Sequence, residues 1–232
     1  MTEPSPRRLG RDELTDRPEQ WPVDGHRLLA RGAVTDLVED AVRTPHGDLM
    51  RRQYTLHPGA VGVIALDDQD RIAVVLQYRH PVAHRLVEPP AGLLDHDNEV
   101  YLVAAQRELA EEAGLAASDW RVLVDLFTSP GATQESVRIS LARGLSDVPQ
   151  PDGFEPESEE ASMESAWADR GELVDAILAG RLQNPVMVSG VLALEAALAS
   201  GRLDQLRPAH APWPSREVRE AQNRRLTHGD AG

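Results

Sequence analysis

The stretch that decides the fold is Gly92–Leu115, which reads GLLDHDNEVYLVAAQRELAEEAGL. Apolar residues recur in its second half at intervals of three and four, which predicts a helix over Glu99–Ala113. The residues of this apolar face are Leu102, Ala105, Leu109 and Ala113. Gly114 comes directly after them, and a glycine at that position is a typical end of a helix.

Three carboxylates share the other face of this predicted helix. Glu108, Glu111 and Glu112 are neighbours there, because residues three and four positions apart lie side by side. Like charges at that spacing repel by roughly 0.2–0.5 kcal/mol per pair, and a bound cation would offset the repulsion. Ligands that are all oxygen favour hard ions such as Mg²⁺ or Mn²⁺. A solvated acidic face on an ordinary amphipathic helix explains the same spacing, so the pattern alone leaves both interpretations open.

Two further residues of the stretch have the chemistry to support such a site. Arg107 lies eight residues after Glu99 and four before Glu111, so its long side chain can reach either carboxylate and hold it in place. Gly92 has no Cβ, which allows the backbone before the helix to approach a ligand closely.

The regions around this helix predict a mixture of strands and helices. Strands are predicted at Val38–Val42, Leu49–Tyr54, Ala60–Leu66, Ile72–Tyr78, Trp120–Leu126 and Ser136–Leu141. A loop is predicted after Tyr78 as far as Gly92. Two helices are predicted at Gly171–Gly180 and Pro185–Ser200, the second with Asn184 as its N-cap. Hairpin connections dominate, which favours the α+β class over a regular βαβ alternation.

Composition excludes several classes of protein. The chain has 232 residues, with 24 Lys and Arg against 38 Asp and Glu, for a formal net charge of −14. Such acidity argues against a nucleic-acid partner, which needs a basic surface. The absence of cysteine excludes disulfides and thiolate chemistry. With no apolar run of about 18 residues and no signal-peptide pattern at the N-terminus, we expect no membrane partner and a cytoplasmic location.

The quoted stretch resembles the Nudix box. Glu99, seven intervening residues and then RELAEEAGL at Arg107–Leu115 match the second part of the box. One departure is visible, because six residues separate Gly92 from Glu99 where the usual pattern has five. The extra residue falls in the loop Asp95–Asn98, where an insertion leaves the face of the helix unchanged.

The resemblance extends to the ADP-ribose pyrophosphatase branch of this family, and most closely to its actinobacterial members. It is carried by Gln77–Arg79, by Glu88–Gly92, and by Ser129–Gly131, whose proline lies fifteen residues after Leu115. Pro89 stands where a leucine is usual. The resemblance implies the Nudix fold, a mixed β-sheet sandwiched between α-helices, with an N-terminal antiparallel β extension.

Composition and resemblance together divide the chain into segments. The polar composition predicts a disordered tail at 1–24 and a polar C-terminal tail at 207–232. The resemblance implies an N-terminal β subdomain for dimerisation at 25–57 and a Nudix hydrolase domain at 58–206. The implied assembly is a homodimer.

The resemblance also implies roles for individual residues. The implied metal ligands are Glu108, Glu111, Glu112 and the carbonyl oxygen of Ala91, supported by Gly92, Glu99 and Arg107. The implied substrate contacts are Arg79, Glu88, Pro130 and Gly131. The catalytic residues would be Glu112 and a base from a later loop, for which we favour Glu160, then Glu159, with Glu157 as a third candidate. A solvated acidic loop, a structural ion pair at Arg79 and a simple turn at Pro130 are the alternatives.

The implied activity is hydrolysis of the diphosphate of ADP-ribose, dependent on Mg²⁺ or Mn²⁺, to AMP and ribose 5-phosphate. One alternative is hydrolysis of another nucleoside diphosphate sugar or of a dinucleotide. The other is a non-catalytic Nudix-like regulator that senses a nucleotide. Such regulators usually lack some of the box glutamates, whereas Glu108, Glu111 and Glu112 are all present in this chain.

Overall fold

The computed structural model describes residues 6–94, 99–150 and 162–216. The chain divides into two compact units. The smaller unit comprises the described residues of Met1–Arg27, Asp40–Arg52 and Trp213–Gly232, and the larger unit comprises those of Leu28–Glu39 and Gln53–Pro212. The smaller unit contains a short 3₁₀ helix at Arg11–Glu13, ion pairs of Arg7 with Glu13 and of Arg43 with Asp24, and a hydrogen bond between His26 and Asp40.

The strands are β1 (Val23–Arg31), β2 (Asp36–Arg43), β3 (Leu49–Leu56), β4 (Ala60–Ala65), β5 (Arg71–Arg79), β6 (His84–Glu88), β7 (Ala91–Leu93), β8 (Leu115–Phe127), β9 (Ser136–Asp147), β10 (Glu164–Asp169) and β11 (Arg207–Pro208). The helices are α1 (Tyr101–Ala113), α2 (Arg170–Leu178) and α3 (Pro185–Ala199). The strands form three sheets, ordered β1-β2-β3, β10-β5-β6 and β11-β8-β9-β4-β7. Within the described part of the chain, none of the helices has the length and apolarity needed to cross a membrane.

The five-stranded sheet is mixed. Strands β4 and β9 run parallel, with Ala60 opposite Val137, whereas β7 pairs antiparallel with β4 and β8 pairs antiparallel with β9. Because β4 and β9 are parallel, the residues that precede them reach the same edge of the sheet. This pairing positions two loops of the site described below.

The core lies on both faces of this sheet. Val61, Val63 and Ala65 of β4 pack in one cluster with Ala105 and Leu109 of α1. The alternate residue Ile64 packs in the other cluster with a set of α3 residues, Met187, Val191 and Leu194. Since successive side chains of a strand point to opposite faces, the sheet lies between α1 and α3. Each fully buried aliphatic side chain contributes roughly 1.5–3 kcal/mol. The prediction of a mixed sheet between helices is confirmed.

The helix ends follow local chemistry. Helix α1 begins at Tyr101, two residues after the predicted start, because Val100 has an extended backbone with φ −80° and ψ 137°. It ends at Gly114, whose left-handed φ of +63° is accessible to glycine at little cost. The predicted N-cap of α3 is confirmed, since the Asn184 side chain accepts a hydrogen bond from the Met187 N–H at 2.9 Å.

Three expectations about loops and strand ends were wrong. The predicted loop between Tyr78 and Gly92 contains β6, which pairs with β5, and most of β7. Strands β8 and β9 are longer than predicted, because their pairing recruits Leu115–Asp119 and Gly144–Asp147, which show no strand pattern of their own. The predicted C-terminal tail starts inside packed structure, since β11 pairs with β8 and the Ala211 carbonyl accepts a hydrogen bond from Arg138.

Candidate active site

A cleft of about 600 Å³ in the larger unit collects most of the residues that the box pattern singles out. Helix α1, strand β7 and the end of β6 form part of its wall, and β5 and the start of α3 contribute further residues. The predicted site residues that line it are Arg79, Glu88, Ala91, Gly92, Arg107, Glu108, Glu111 and Glu112. Thus a single concave surface brings together predicted site residues from four elements, namely α1, β5, β6 and β7.

Helix α1 carries the carboxylates into this cleft. Glu108 and Glu112 are four residues apart, so they lie one turn from each other on the same face. Both are buried, with 8% and 9% of their surface exposed, and the Glu111 side chain is 18% exposed. Burying an ionised carboxylate is costly unless it is paired, so each of these groups needs an opposite charge or a donor.

Arg107 supplies much of that opposite charge. Its Nε and Nη2 donate to Glu99 at 3.1 and 3.2 Å, and its Nη1 donates to Glu108 at 2.6 Å and to Glu111 at 3.0 Å. These contacts include both partners that the sequence spacing allowed. Burial acts to lower the pKa of Arg107, but the hydrogen bonds to Glu99 and the charge of Glu108 outweigh it and raise the pKa above its usual value. Arg107 therefore stays charged and holds the carboxylates in place.

The turn before the helix is shaped to fit the same carboxylates. The Ala91 N–H donates to Glu112 Oε2 at 2.8 Å. A Cβ atom on Gly92 would lie 1.9 Å from Oε1 of Glu108, which is far too close for two nonbonded atoms. The Glu108 side chain therefore lies directly against Gly92, and the missing Cβ makes room for this carboxylate. Any larger residue there would displace a box carboxylate.

Arg79 and Glu88 form a bidentate ion pair on the wall of the cleft. Arg79 Nη2 donates to Glu88 Oε2 at 2.7 Å, and Arg79 Nε lies 3.1 and 3.2 Å from the two Glu88 oxygens. Glu88 is 2% exposed, while the Arg79 side chain keeps 39% of its surface accessible. The structural ion pair that was the alternative interpretation of Arg79 is present, and Arg79 also lines the cleft.

Other predicted residues lie elsewhere. Pro130 and Gly131 are exposed in the turn that follows β8 and are not among the described residues lining the cleft. The candidate bases Glu157, Glu159 and Glu160 lie outside the described residues.

The structure adds residues to the site that the sequence analysis did not select. The cleft is also lined by Gln77, by His57, Thr128 and Glu135, and by Asn184–Val186 at the start of α3. His57 lies shortly before β4, Glu135 lies immediately before β9, and these two strands run parallel. Their proximity depends on that pairing, which no local pattern revealed. The one signal in the sequence that could have identified Glu135 as a site residue was its position at the end of a turn-rich loop after the box.

The charge of the cleft indicates what it can hold. Among the described residues, five glutamates and two arginines line it, which leaves a formal charge of −3 when all are ionised. Three of those carboxylates offer oxygen atoms on one helix face, a donor set that suits a hard divalent cation. Within residues 6–94, 99–150 and 162–216, no three His, Asp or Glu side chains are arranged closely enough to enclose an ion, and Arg107 Nη1 instead bridges Glu108 and Glu111. The donor set fits a divalent metal provided that these side chains turn toward it.

Comparisons with known proteins agree with this site. The NUDIX domain model matches residues 56–187. The chain is 43% identical over 196 residues to the ADP-ribose pyrophosphatase of Mycobacterium tuberculosis (strain ATCC 25618 / H37Rv), an alignment that covers 84% of this chain and 92% of that protein. It is 40% identical over 115 residues to the methanol dehydrogenase activator of Bacillus methanolicus, covering 50% of this chain and 62% of that protein.

A solved structure shares the fold. The crystal structure of an ADP compounds hydrolase matches with a TM-score of 0.65 at 21% identity, covering 82% of this chain and all of that one. The family model spans more than half of this chain, and its range includes the box helix and the glutamates that line the cleft. The chain therefore belongs to the Nudix hydrolase family, whose members generally need a divalent metal.

Proposed function

We propose that this Nudix hydrolase cleaves the diphosphate of ADP-ribose to AMP and ribose 5-phosphate. One observation carries the proposal: α1 presents Glu108, Glu111 and Glu112 to a cleft that also contains Arg79. The substrate is inferred from the identity of 43% to an ADP-ribose pyrophosphatase along nearly its whole length.

The charge of the cleft supports a metal-dependent reaction. A diphosphate is anionic, and a cleft whose described lining has a formal charge of −3 repels it unless cations intervene. A divalent cation supplies charge neutralisation at the phosphoryl oxygens and makes water a better nucleophile. We propose Mg²⁺ as this ion, with Mn²⁺ as a substitute. Glu108, Glu111, Glu112 and the Ala91 carbonyl would hold it.

The remaining residues divide the work of binding and proton transfer. Arg79, fixed by Glu88, directs a guanidinium group toward the cleft, where it can bind a phosphate oxygen or a ribose hydroxyl. Pro130 and Gly131 would shape a loop that meets the substrate. A glutamate among residues 157–160, which the sequence predicts to be a loop, would orient the attacking water and accept its proton, with Glu160 favoured over Glu159. These roles are proposals that substitution of each residue by glutamine or alanine tests individually.

The decisive experiment is hydrolysis of ADP-ribose with Mg²⁺ in ¹⁸O-labelled water. We expect AMP and ribose 5-phosphate in equal amounts, with one label on a single product, because water attacks one phosphorus and the other phosphate leaves. Parallel reactions with other nucleoside diphosphate sugars and with dinucleotides test the alternative substrates. The proposal fails if ADP-ribose is left intact, or if another member of the panel has a far higher kcat/KM.

A second candidate function is regulation of a partner protein. It is favoured by the identity of 40% to a protein named methanol dehydrogenase activator, although that match covers 62% of its length. Hydrolysis and activation can be separated, because a regulator that acts by binding alone should not depend on Glu112. A Glu112→Gln variant that stimulates a partner as well as the original protein does would support the binding role.

We also propose that the chain forms a homodimer and that residues 25–57 take part in the interface, with residues 58–206 as the catalytic domain. Leu28 of β1 and Leu37 of β2, both in the larger unit, expose 44% and 38% of their surface, which leaves apolar area for a partner to cover. Light scattering at micromolar concentration tests this. A mass of one chain would contradict it.

A further inference from the structure

A second cavity lies in the larger unit and shares no lining residue with the cleft of the box. Its volume is about 530 Å³, which is within the range of cavities that hold small molecules. We call it the α2 groove. Its lining residues are Val74 and Leu76 of β5, Val87 of β6, Ala168 of β10, Glu172, Leu173, Asp175 and Ala176 of α2, and Arg181 and Leu182 after α2.

The three-stranded sheet β10-β5-β6 separates the α2 groove from the active-site cleft. Leu76 of β5 lines the groove, whereas Gln77, the next residue, lines the cleft. Val87 and Glu88 of β6 divide in the same way. Because successive side chains of a strand point to opposite faces, the two cavities lie on opposite faces of one sheet. A molecule in the groove would therefore not displace a molecule in the cleft.

The floor of the α2 groove is apolar, and the protein covers it only in part. Val74 and Leu173 are 3% and 4% exposed, so they belong to the core. Five more apolar side chains of the lining are half-buried, namely those of Leu76, Val87, Ala168, Ala176 and Leu182. Apolar surface in a concave cavity gains free energy when an apolar group of a ligand covers it. The lining therefore favours a ligand with an apolar body.

Three charged side chains surround this floor, and their formal sum is negative. Glu172 and Asp175 lie three residues apart on α2, so their carboxylates are neighbours, and Arg181 supplies one positive charge. All three residues are exposed, and within residues 6–94, 99–150 and 162–216 none of their side chains forms an ion pair.

Helix stability explains one of the two carboxylates. Glu172 is in the first turn of α2, where a negative charge stabilises the helix. Asp175 lies beyond that turn, so the helix dipole gives no reason for its charge. A ligand with a positive charge would give one, because it would also offset the repulsion between the two carboxylates.

We propose that the α2 groove binds a small organic cation, a molecule with an apolar body and one ammonium or guanidinium group. The body would cover the half-buried side chains of the floor, and the cation would lie beside Glu172 and Asp175. Charge complementarity selects this class of ligand, because two carboxylates attract a cation more than the single guanidinium of Arg181 repels it. The assignment does not rest on the proposed function, since binding is measured without ADP-ribose.

The test uses three probes that share one apolar body and differ in charge: 4-phenylbutylamine, 4-phenylbutan-1-ol and 5-phenylpentanoate. Isothermal titration calorimetry with Mg²⁺ present gives the Kd of each probe. Exposed charge pairs contribute modestly, so the amine should bind about 3- to 10-fold more tightly than the alcohol, and the acid should bind most weakly. Added salt should reduce the preference for the amine, because it screens exposed charges.

Variants locate the bound amine through the ratio of the two Kd values, alcohol over amine. The double variant Glu172→Gln/Asp175→Asn should bring this ratio to about one. Arg181→Gln should raise it about two- to threefold, because a like charge is removed. Glu111→Gln is the matched control and should leave the ratio unchanged, because Glu111 lines the acidic cleft on the other face of the sheet.

A variant that fills the α2 groove tests the role of the cavity itself. Ala176→Phe places a ring where the apolar body would lie and should remove the binding of all three probes. Unfolding midpoints of all variants, measured by circular dichroism, show whether a loss of binding comes from a damaged fold. If Ala176→Phe does not fold, the double variant and Arg181→Gln still decide the question.

Three results would overturn the proposal. One is equal affinity of the original protein for the amine and the alcohol. Another is a fall in the ratio with Glu111→Gln as large as with the double variant, which would place the amine in the active-site cleft. The third is an affinity for the amine that rises on dilution of the protein, which would mean that a second copy of the chain covers the groove. Failure to hydrolyse ADP-ribose would contradict the proposed function alone.

Discussion

Two arginines of the larger unit, Arg107 and Arg138, each hold carboxylates, but the balance of charge around them is opposite. Arg107 faces three carboxylates, those of Glu99, Glu108 and Glu111. Arg138, only 2% exposed, donates through Nε and Nη2 to Asp125 at 2.7 and 3.0 Å. Arg207 contacts the same Asp125 at 2.7 Å, so among the described residues this carboxylate lies between two cations.

The location of the surplus charge explains the difference. In the Asp125 network the surplus cation is Arg207, whose side chain is 46% exposed, so water can solvate it. We call Arg107 and its three carboxylates the box network. Its surplus negative charge is on carboxylates such as Glu108, which is 8% exposed and lines the cleft. Surplus charge that is buried is costly, and a ligand of opposite charge that binds in the cleft would offset this cost. We infer that the box network serves the binding of a ligand and that the Asp125 network serves stability. The substitutions below test this contrast.

The largest effect is expected from Glu112→Gln. Loss of one proposed metal ligand should lower kcat by about a thousandfold, because a divalent cation stabilises the transition state by several kcal/mol. The fold should survive, since the glutamine oxygen can still accept from the Ala91 N–H. The measurement is steady-state hydrolysis of ADP-ribose with Mg²⁺, with Asp70→Asn as the control for charge. Near-normal turnover by Glu112→Gln would show that the box carboxylates are not needed for activity, and the contrast with the Asp125 network would then fail.

Arg138→Met should act on stability. Removing one partner of a buried ion pair leaves Asp125 poorly compensated and should lower the free energy of unfolding by about 3 kcal/mol. Arg207→Met removes an exposed cation from the same carboxylate and should cost less than about 1 kcal/mol. Urea unfolding gives both values, and kcat/KM per folded molecule should stay within twofold. Equal costs for the two variants would show that burial does not decide the strength of these pairs.

Arg107→Lys should act on activity. Lysine keeps the charge but lacks the planar fork that reaches Glu99, Glu108 and Glu111 together. Residues that orient metal ligands typically matter by 10- to 100-fold, so kcat/KM should fall by about that factor. Arg143→Lys is the matched control, because Arg143 binds Asp119 through two nitrogens and does not line the cleft among the described residues. The idea is wrong if both variants keep full activity.

The smallest effect is expected from Asp70→Asn, which removes an exposed ion pair with Arg170. A hydrogen bond from Arg170 lowers the pKa of Asp70, so its stabilising contribution is present above the unfolded pKa of about 3.9 and is lost as pH falls through the lower, folded pKa. The variant should be less stable by under about 1 kcal/mol at pH 7, and the difference should shrink below about pH 4. Asparagine also tolerates the backbone φ of +62°, so the substitution tests charge. Urea unfolding at several pH values measures it, and a difference that grows on acidification would contradict the sign.

Local patterns predicted the elements that bury many apolar side chains. The positions of β4, β5, α1 and α3 follow from apolar runs, helical spacing and caps such as Asn184, all of which operate within a few residues. Strand β6 and the ends of β8 and β9 were missed, because their pairing partners rather than their own side chains make them strands.

The sequence by itself determined the box helix, its acidic face and the arginine that binds that face, because residues four apart on a helix meet whatever surrounds them. The family assignment follows from the resemblance of that short stretch to the Nudix box, and the family model agrees with it. Only the tertiary structure decided which other side chains join the cleft. His57 and Glu135 are 78 positions apart in the chain and meet because β4 and β9 pair in parallel, a register set by packing between α1 and α3.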